Sequence, residues 1–141
     1  MKLGVAEILN KIASLPTKEE KVAALWAQRD NQVLTLLLKM SFDPGLEWFI
    51  PKGIPPYTPG PVDGDQQGKL YLEMKRMSFF AKLPNSPKNI TQVRREQRFI
   101  DVLESVHPDD AKLLINVKDK KPLAKGITKK LVEEGLPGLL Q

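Results

Sequence analysis

Thr17-Lys18-Glu19-Glu20-Lys21-Val22-Ala23-Ala24-Leu25-Trp26, followed by Asn31-Gln32-Val33-Leu34-Thr35-Leu36-Leu37-Leu38-Lys39-Met40-Ser41-Phe42, reads as a helical hairpin. Thr17 with Glu20 has the Thr-x-x-Glu form of a capping box, in which each residue satisfies a backbone N–H left free at the helix start. The helix it opens is expected to bury Val22, Leu25 and Trp26. Asp30 or Asn31 can cap the next helix, which carries Val33, Leu34, Leu37, Leu38 and Phe42 on its apolar face. Upstream, Val5, Ile8, Leu9 and Ile12 follow the i, i+3, i+4, i+7 rule until Pro16 stops them. The expectation is three helices packed together.

Beyond this hairpin the periodicity breaks. Residues 41–68 contain six prolines and five glycines among 28 residues, which forbids a regular helix. Trp48, Phe49, Ile50 and Tyr57 are the expected anchors of a wrapped connection with a mobile tip near 62–67. Helical spacing then resumes over 69–82, with Leu70, Met74, Met77 and either Phe80 or Ala81 on one face. Thr91 caps a helix expected to bury Val93, Phe99, Ile100, Val102 and Leu103, with Val106 near its end. Pro108-Asp109-Asp110 supplies an N1 proline and first-turn acids to a helix through Val117. A last helix runs over 128–134, stopped by Gly135 and Pro137. The fold class is therefore all-α, a single compact domain over 1–141 with about seven helices and one long Pro/Gly-rich connection.

Composition narrows the chemistry. A chain of 141 residues, 41% hydrophobic and 28% charged, can bury one real core. Its formal charge is +5, unevenly placed: up to Gly68 there are seven Lys/Arg against eight Asp/Glu, and from Lys69 onward fifteen against nine. The basic second half is the candidate contact surface for a polyanion. The absence of cysteine removes disulfides, thiolate catalysis and cysteine-ligated zinc, and a single histidine argues against a transition-metal site, so no cofactor or metal is expected. No apolar run of membrane-spanning length and no leader pattern is present, which predicts a cytoplasmic protein without a membrane partner.

Two basic groups stand out. Lys118, Lys120, Lys121 and Lys125 precede the last helix, Gly126 permits close approach, the N–H groups of Ile127 and Thr128 face outward from a helix start, and Lys129 lies in the first turn. Such a tip suits a phosphate. The bland alternative is a turn glycine among solvated lysines. The second group is Lys69, Lys75, Arg76, Lys82, Lys88, Arg94, Arg95 and Arg98, eight bases against Glu73 and Glu96 over 69–98. If both groups share a face, the footprint suits a duplex backbone. Other residues read as structural: His107 at a helix entrance, Asp109-Asp110 as first-turn acids, Trp26 and Trp48 as core and loop anchors more than stacking platforms. Residues 60–68 lack a Walker pattern, and Gln66-Gln67-Gly68-Lys69-Leu70-Tyr71-Leu72 has poor spacing for a sliding-clamp peptide.

Read in order, residues 7–14, Thr17-Lys18-Glu19-Glu20-Lys21, the Arg29-Asp30-Asn31 turn and Ser41-Phe42-Asp43-Pro44-Gly45-Leu46 before Trp48-Phe49 resemble the opening of the N-terminal DNA-binding domain of ATP-dependent DNA ligases of T-even-type phages. Residues 99–103, 108–114, Lys118-Asp119, Gly126-Ile127-Thr128 and Leu136-Pro137-Gly138-Leu139 resemble its closing helices. The middle, 51–90, carries no such likeness. In those ligases an adenylation domain follows, with a nucleophilic lysine in Lys-x-Asp-Gly; here the sole Asp-Gly, Asp63-Gly64, has Pro61 at the lysine position. An arginine commonly precedes the aspartate where this chain has Lys118, which costs the bidentate fork.

The resemblance implies a free-standing helical module without ligase chemistry. It would grip double-stranded DNA, nicked or intact, through its backbone, chiefly from the minor-groove side and without reading sequence. It would act as a phage replication or repair accessory. The alternative function is a protein-interaction module on the same scaffold that contacts a sliding clamp or blocks a host factor. No set of acid, base and nucleophile supports an enzyme.

Overall fold

Local caps set the helix starts. In the computed structural model, which describes residues 4–43, 45–59, 70, 73–83, 86–121 and 123–140 (side chains of 74–76 excepted), Thr17 Oγ1 accepts the N–H of Glu20 at 3.2 Å and opens α2. Asn31, and not Asp30, caps α3 by accepting the N–H of Leu34 at 3.1 Å. The described helices are α1 (Val5–Ala13), α2 (Lys18–Ala27), α3 (Gln32–Phe42), a 3-10 helix (Met74–Phe79), α4 (Gln92–Ser105), α5 (Pro108–Lys118) and α6 (Lys129–Gly135). Among the described residues these six α-helices are joined by no strand, only an isolated antiparallel bridge between Trp48 and Ala81. The fold is all-α.

The helices do not pack in chain order. α2 lies chiefly against α6, α3 and α4 against α5, and α1 against α5 and α2, so of the expected packing of the first three helices the α1–α2 contact is present while the principal partners lie in the C-terminal half. The reason is visible at Gly135. A Cβ there would stand 2.8 Å from Leu25 Cβ, so only glycine lets α6 come this close to α2. Leu25 is fully buried by that contact, whereas Trp26, expected inside, is 52% exposed on the neighbouring face. Val93 is likewise 77% exposed, because the buried face of α4 runs through Phe99, Val102 and Leu103 instead. One hydrophobic cluster joins these elements, with Leu34, Leu37, Leu38, Phe80, Phe99, Leu103 and Leu114 at its centre. Phe80 and Phe99 meet edge to face, centroids 5.1 Å apart.

The proline-rich connection wraps over this core, as its anchors predict. Phe49 N–H donates to Phe80 O (2.8 Å) and Lys82 N–H to Glu47 O (2.9 Å) around the bridge, and Ile50 is buried. An extended backbone at Ala81 ends any helix before it. Within the expected helix over 69–82, Leu70 and Glu73 are helical and a 3-10 helix follows over Met74–Phe79, with Leu70 and Met77 buried and Phe80 and Ala81 buried just beyond it. The tip at 62–67 lies outside the described residues.

α1 is capped from a distance. Gly4 at its N-cap has no side chain, and Asp110 Oδ1, from the first turn of α5, accepts the N–H of Ala6 at 2.8 Å. The Asp110 side chain is fully buried, so this acid is more than a surface first-turn charge. His107 caps its own helix, its Nδ1 accepting the N–H of Asp109 at 3.1 Å.

Candidate functional site

The basic residues that the sequence marks separate into two kinds once their ammonium and guanidinium groups are traced. Lys118 is 2% exposed, and its Nζ donates to Pro51 O (2.8 Å), Gly53 O (2.9 Å) and Asp119 Oδ1. All three of its protons are used, so it fastens the wrapped connection to α5 and has none for a phosphate. Asp119 completes the clamp by accepting the N–H of Gly53. Lys120 does similar work. Its Nζ donates to Met40 O (2.7 Å) and Asp43 O (2.8 Å), and burial pushes its ammonium below the ordinary lysine value although Asp43 raises it.

Backbone geometry explains why Lys120 sits there. The N–H of Lys121 reaches Asn116 O (2.8 Å) and that of Lys120 reaches Val117 O (3.3 Å), the paired bonds of a Schellman end to α5. That motif demands a left-handed residue, and Lys120 takes φ 60 where glycine is usual. Its side-chain bonds to the end of α3 offset the strain.

Arg95, from the second basic group, is 7% exposed. It donates to Phe79 O (2.8 Å) and Pro87 O (2.9 Å) while lying 4.2 Å over the Phe49 ring, so it too is internal mortar. Arg98 is half-buried over Phe79 at 4.5 Å. Arg94, Lys82 and Lys88 are exposed. Lys69 and the side chains of Lys75 and Arg76 lie outside the described residues. α4, which carries Arg94, Arg95 and Arg98, packs on α5, whose end carries Lys118, whereas α6 packs on α2.

The helix start also differs from the expectation. Ile127 is 3% exposed and its N–H is taken by Ala124 O at 3.1 Å, so it is not a phosphate donor. Thr128 Oγ1 accepts the N–H of Leu131 at 3.2 Å, which makes it the N-cap of α6. α6 has only seven residues, so free amides and helix dipole contribute little; the side-chain cations carry the local field.

Those cations come from both partners of the α2–α6 pair. Lys125, Lys129 and Lys130 are exposed on the loop and first turn. Gly126, at φ +90, faces Lys21 of α2, whose Nζ lies 3.1 Å from where a Cβ would stand. A shallow groove of about 280 Å³ runs between Lys21, Gly126, Thr128 and Lys130. The carboxylate lining it, Glu134, is paired with Lys18 at 2.8 Å. Lys121 is also exposed, beyond the Schellman turn. Sequence reasoning misses Lys21 because nothing local joins residue 21 to residue 126. Only the Lys18, Lys21 spacing of one helical face hints at it.

A second, apolar groove of about 630 Å³ shares Lys18 and Glu134 with the first and continues past Val22, Ala23 and Pro137 to Trp26. The Arg29 guanidinium lies 4.7 Å over the Trp26 ring and donates to Trp26 O at 3.0 Å. Trp26 is thus an exposed plate and not a core anchor.

The remaining titratable cluster is structural. Burial raises the Asp110 carboxyl to about 6, against lowering by the Ala6 N–H and His107 and further raising by Asp109 and Glu7. Among the described residues no group of three or more His, Cys, Asp or Glu is placed to hold a metal ion, and no helix is long and apolar enough to cross a membrane. A search of the curated proteins finds no match. The profile of DUF6433, a family of unknown function, matches residues 8–124, most of the chain, from within α1 through α5 and short of α6. The chain belongs to the DUF6433 family.

Proposed function

We propose that this chain is a non-enzymatic, sequence-independent DNA-binding protein that holds the phosphate backbone of a duplex on the α2–α6 surface. The observation that carries the reading is the convergence of Lys21 with Gly126, Thr128 and Lys130 across one open groove, with Lys125 and Lys129 beside it. Flexible ammonium groups from two helices suit a repeating anion whose charges are evenly spaced and carry no sequence information. The likeness to the ligase DNA-binding domain supports the same reading and suggests a phage replication or repair role in the host cytoplasm. In this reading Lys118, Arg95 and Ile127 leave the set of DNA-facing residues that the sequence suggests, Lys120 stays exposed with one ammonium proton free, and Lys21 and Lys130 join it.

The test is fluorescence anisotropy with labelled duplexes of unrelated sequence. Replacing Lys125, Lys129 and Lys130 together by alanine is expected to weaken all of them by a similar factor. The slope of log affinity against log salt should flatten by about 2 to 3, close to 0.9 for each phosphate that is no longer neutralised. Unchanged affinity and slope would remove DNA from this surface.

A second reading is a protein-interaction module, and the observation favouring it lies on α4. Ile54, 75% exposed, lines a groove of about 320 Å³ with Pro51, Pro55, Pro56 and Ile100, and Val93, 77% exposed, lies on the same helix as Ile100. Apolar contact of that kind would lose little affinity between low and moderate salt, whereas backbone binding would lose much.

A further inference from the structure

We propose that the apolar groove beside Trp26 holds an unpaired base of a DNA strand whose phosphates continue along the adjoining lysines. The inference rests on the DNA-binding reading and names the form of DNA that the surface prefers: a single strand, or a duplex opened at an end, gap or nick.

The groove has the parts a nucleotide needs, in the right order. Trp26 is half-exposed although an indole of that size normally buries, and Arg29 stacks on it and bonds its carbonyl, which holds the ring in place. Val22 and Ala23 lie one turn before Trp26 on the same helix, and Pro137 faces them from beyond α6. These make an apolar slot for the flat face of a base. Gly135 keeps the two walls close, since any Cβ would strike Leu25.

Charge separates base from phosphate. Glu19 and Glu134 line the apolar slot, with Glu134 neutralised by Lys18, so a phosphate is disfavoured there while amino groups on a base edge find acceptors. Past Lys18 and Glu134, which line both grooves, the surface turns basic at Lys21 and Lys130. Lys21 precedes Trp26 by five positions on α2, about 7.5 Å along the axis, and the two grooves that they line meet at Lys18 and Glu134. An apolar peptide would use the slot and leave the lysines idle; a fully paired duplex would use the lysines and leave the slot empty. A strand with an unpaired base uses both.

The experiment compares a short mixed-sequence single strand with a long, blunt, fully paired linear duplex, binding wild type, Trp26→Ala and Trp26→Phe by anisotropy at one salt concentration. Trp26→Ala is expected to weaken the single strand roughly tenfold, the scale of one missing base stack, with the duplex changed less than about twofold and Trp26→Phe restoring most of the loss. In a Trp48→Phe background, single-strand binding should quench the remaining indole. Equal affinity of wild type and Trp26→Ala for the single strand, or no quenching, overturns this inference and leaves lysine-dependent duplex binding standing. Absence of binding to either DNA overturns both.

Discussion

Replacing Lys118 by alanine separates a structural cation from a binding one. The substitution removes three donated hydrogen bonds at once and leaves Pro51 O, Gly53 O and the Asp119 carboxylate, whose side chain is 5% exposed, without their shared cation. Breaking a buried pair by deleting one partner typically costs about 3 to 5 kcal/mol, because the surviving charge stays desolvated. Two unsatisfied carbonyls push toward the upper end. Against a total stability of about 5 to 15 kcal/mol for a domain, this is a large share. The assay is urea unfolding followed by circular dichroism. The expected result is a drop in midpoint with little change in slope. The Lys118→Ala, Asp119→Ala double variant should lose less than the sum of the singles, since no lone carboxylate remains. Duplex affinity of the folded fraction should be unchanged. A loss below about 1 kcal/mol, or abolished DNA binding at unaltered stability, would refute the clamp.

Three further outcomes follow from the packing. Asp110 titrates at about 6 in the fold against an ordinary 3.8, so its stabilising contribution is fully present below 3.8 and is lost as pH rises through 6. At 1.36 kcal/mol per pH unit the wild type should lose about 3 kcal/mol from this group by pH 7 relative to Asp110→Asn, and parallel stability curves from pH 4 to 7 would contradict it. Gly135→Ala should destabilise by about 1 to 3 kcal/mol through collision with Leu25, read as a lowered melting temperature; an unchanged value would mean that α6 yields freely. Lys120→Gly relieves the left-handed strain but surrenders two bonds to the end of α3, and a net loss of about 1 kcal/mol is expected in urea, where a gain would show that the backbone strain dominates.

What could be read from the residues alone is what depends on neighbours within a few positions. Thr17, Asn31 and Thr91 each accept a backbone N–H three residues on, and Leu9, Leu34, Leu37, Phe99 and Leu103 are buried as their spacing predicts. The all-α class follows from those short-range rules. The role of a lysine does not. Lys118 and Lys129 look alike in the sequence, yet one is sealed under Pro51 and Gly53 and the other is exposed, because the wrapped connection returns to the end of α5 and not to α6. Trp26 is left outside for the same kind of reason: α6 settles on Leu25 through Gly135, so the adjacent face of α2 stays open. Caps and periodicity act over one helical turn, whereas the solvation of a charge depends on which distant segment covers it.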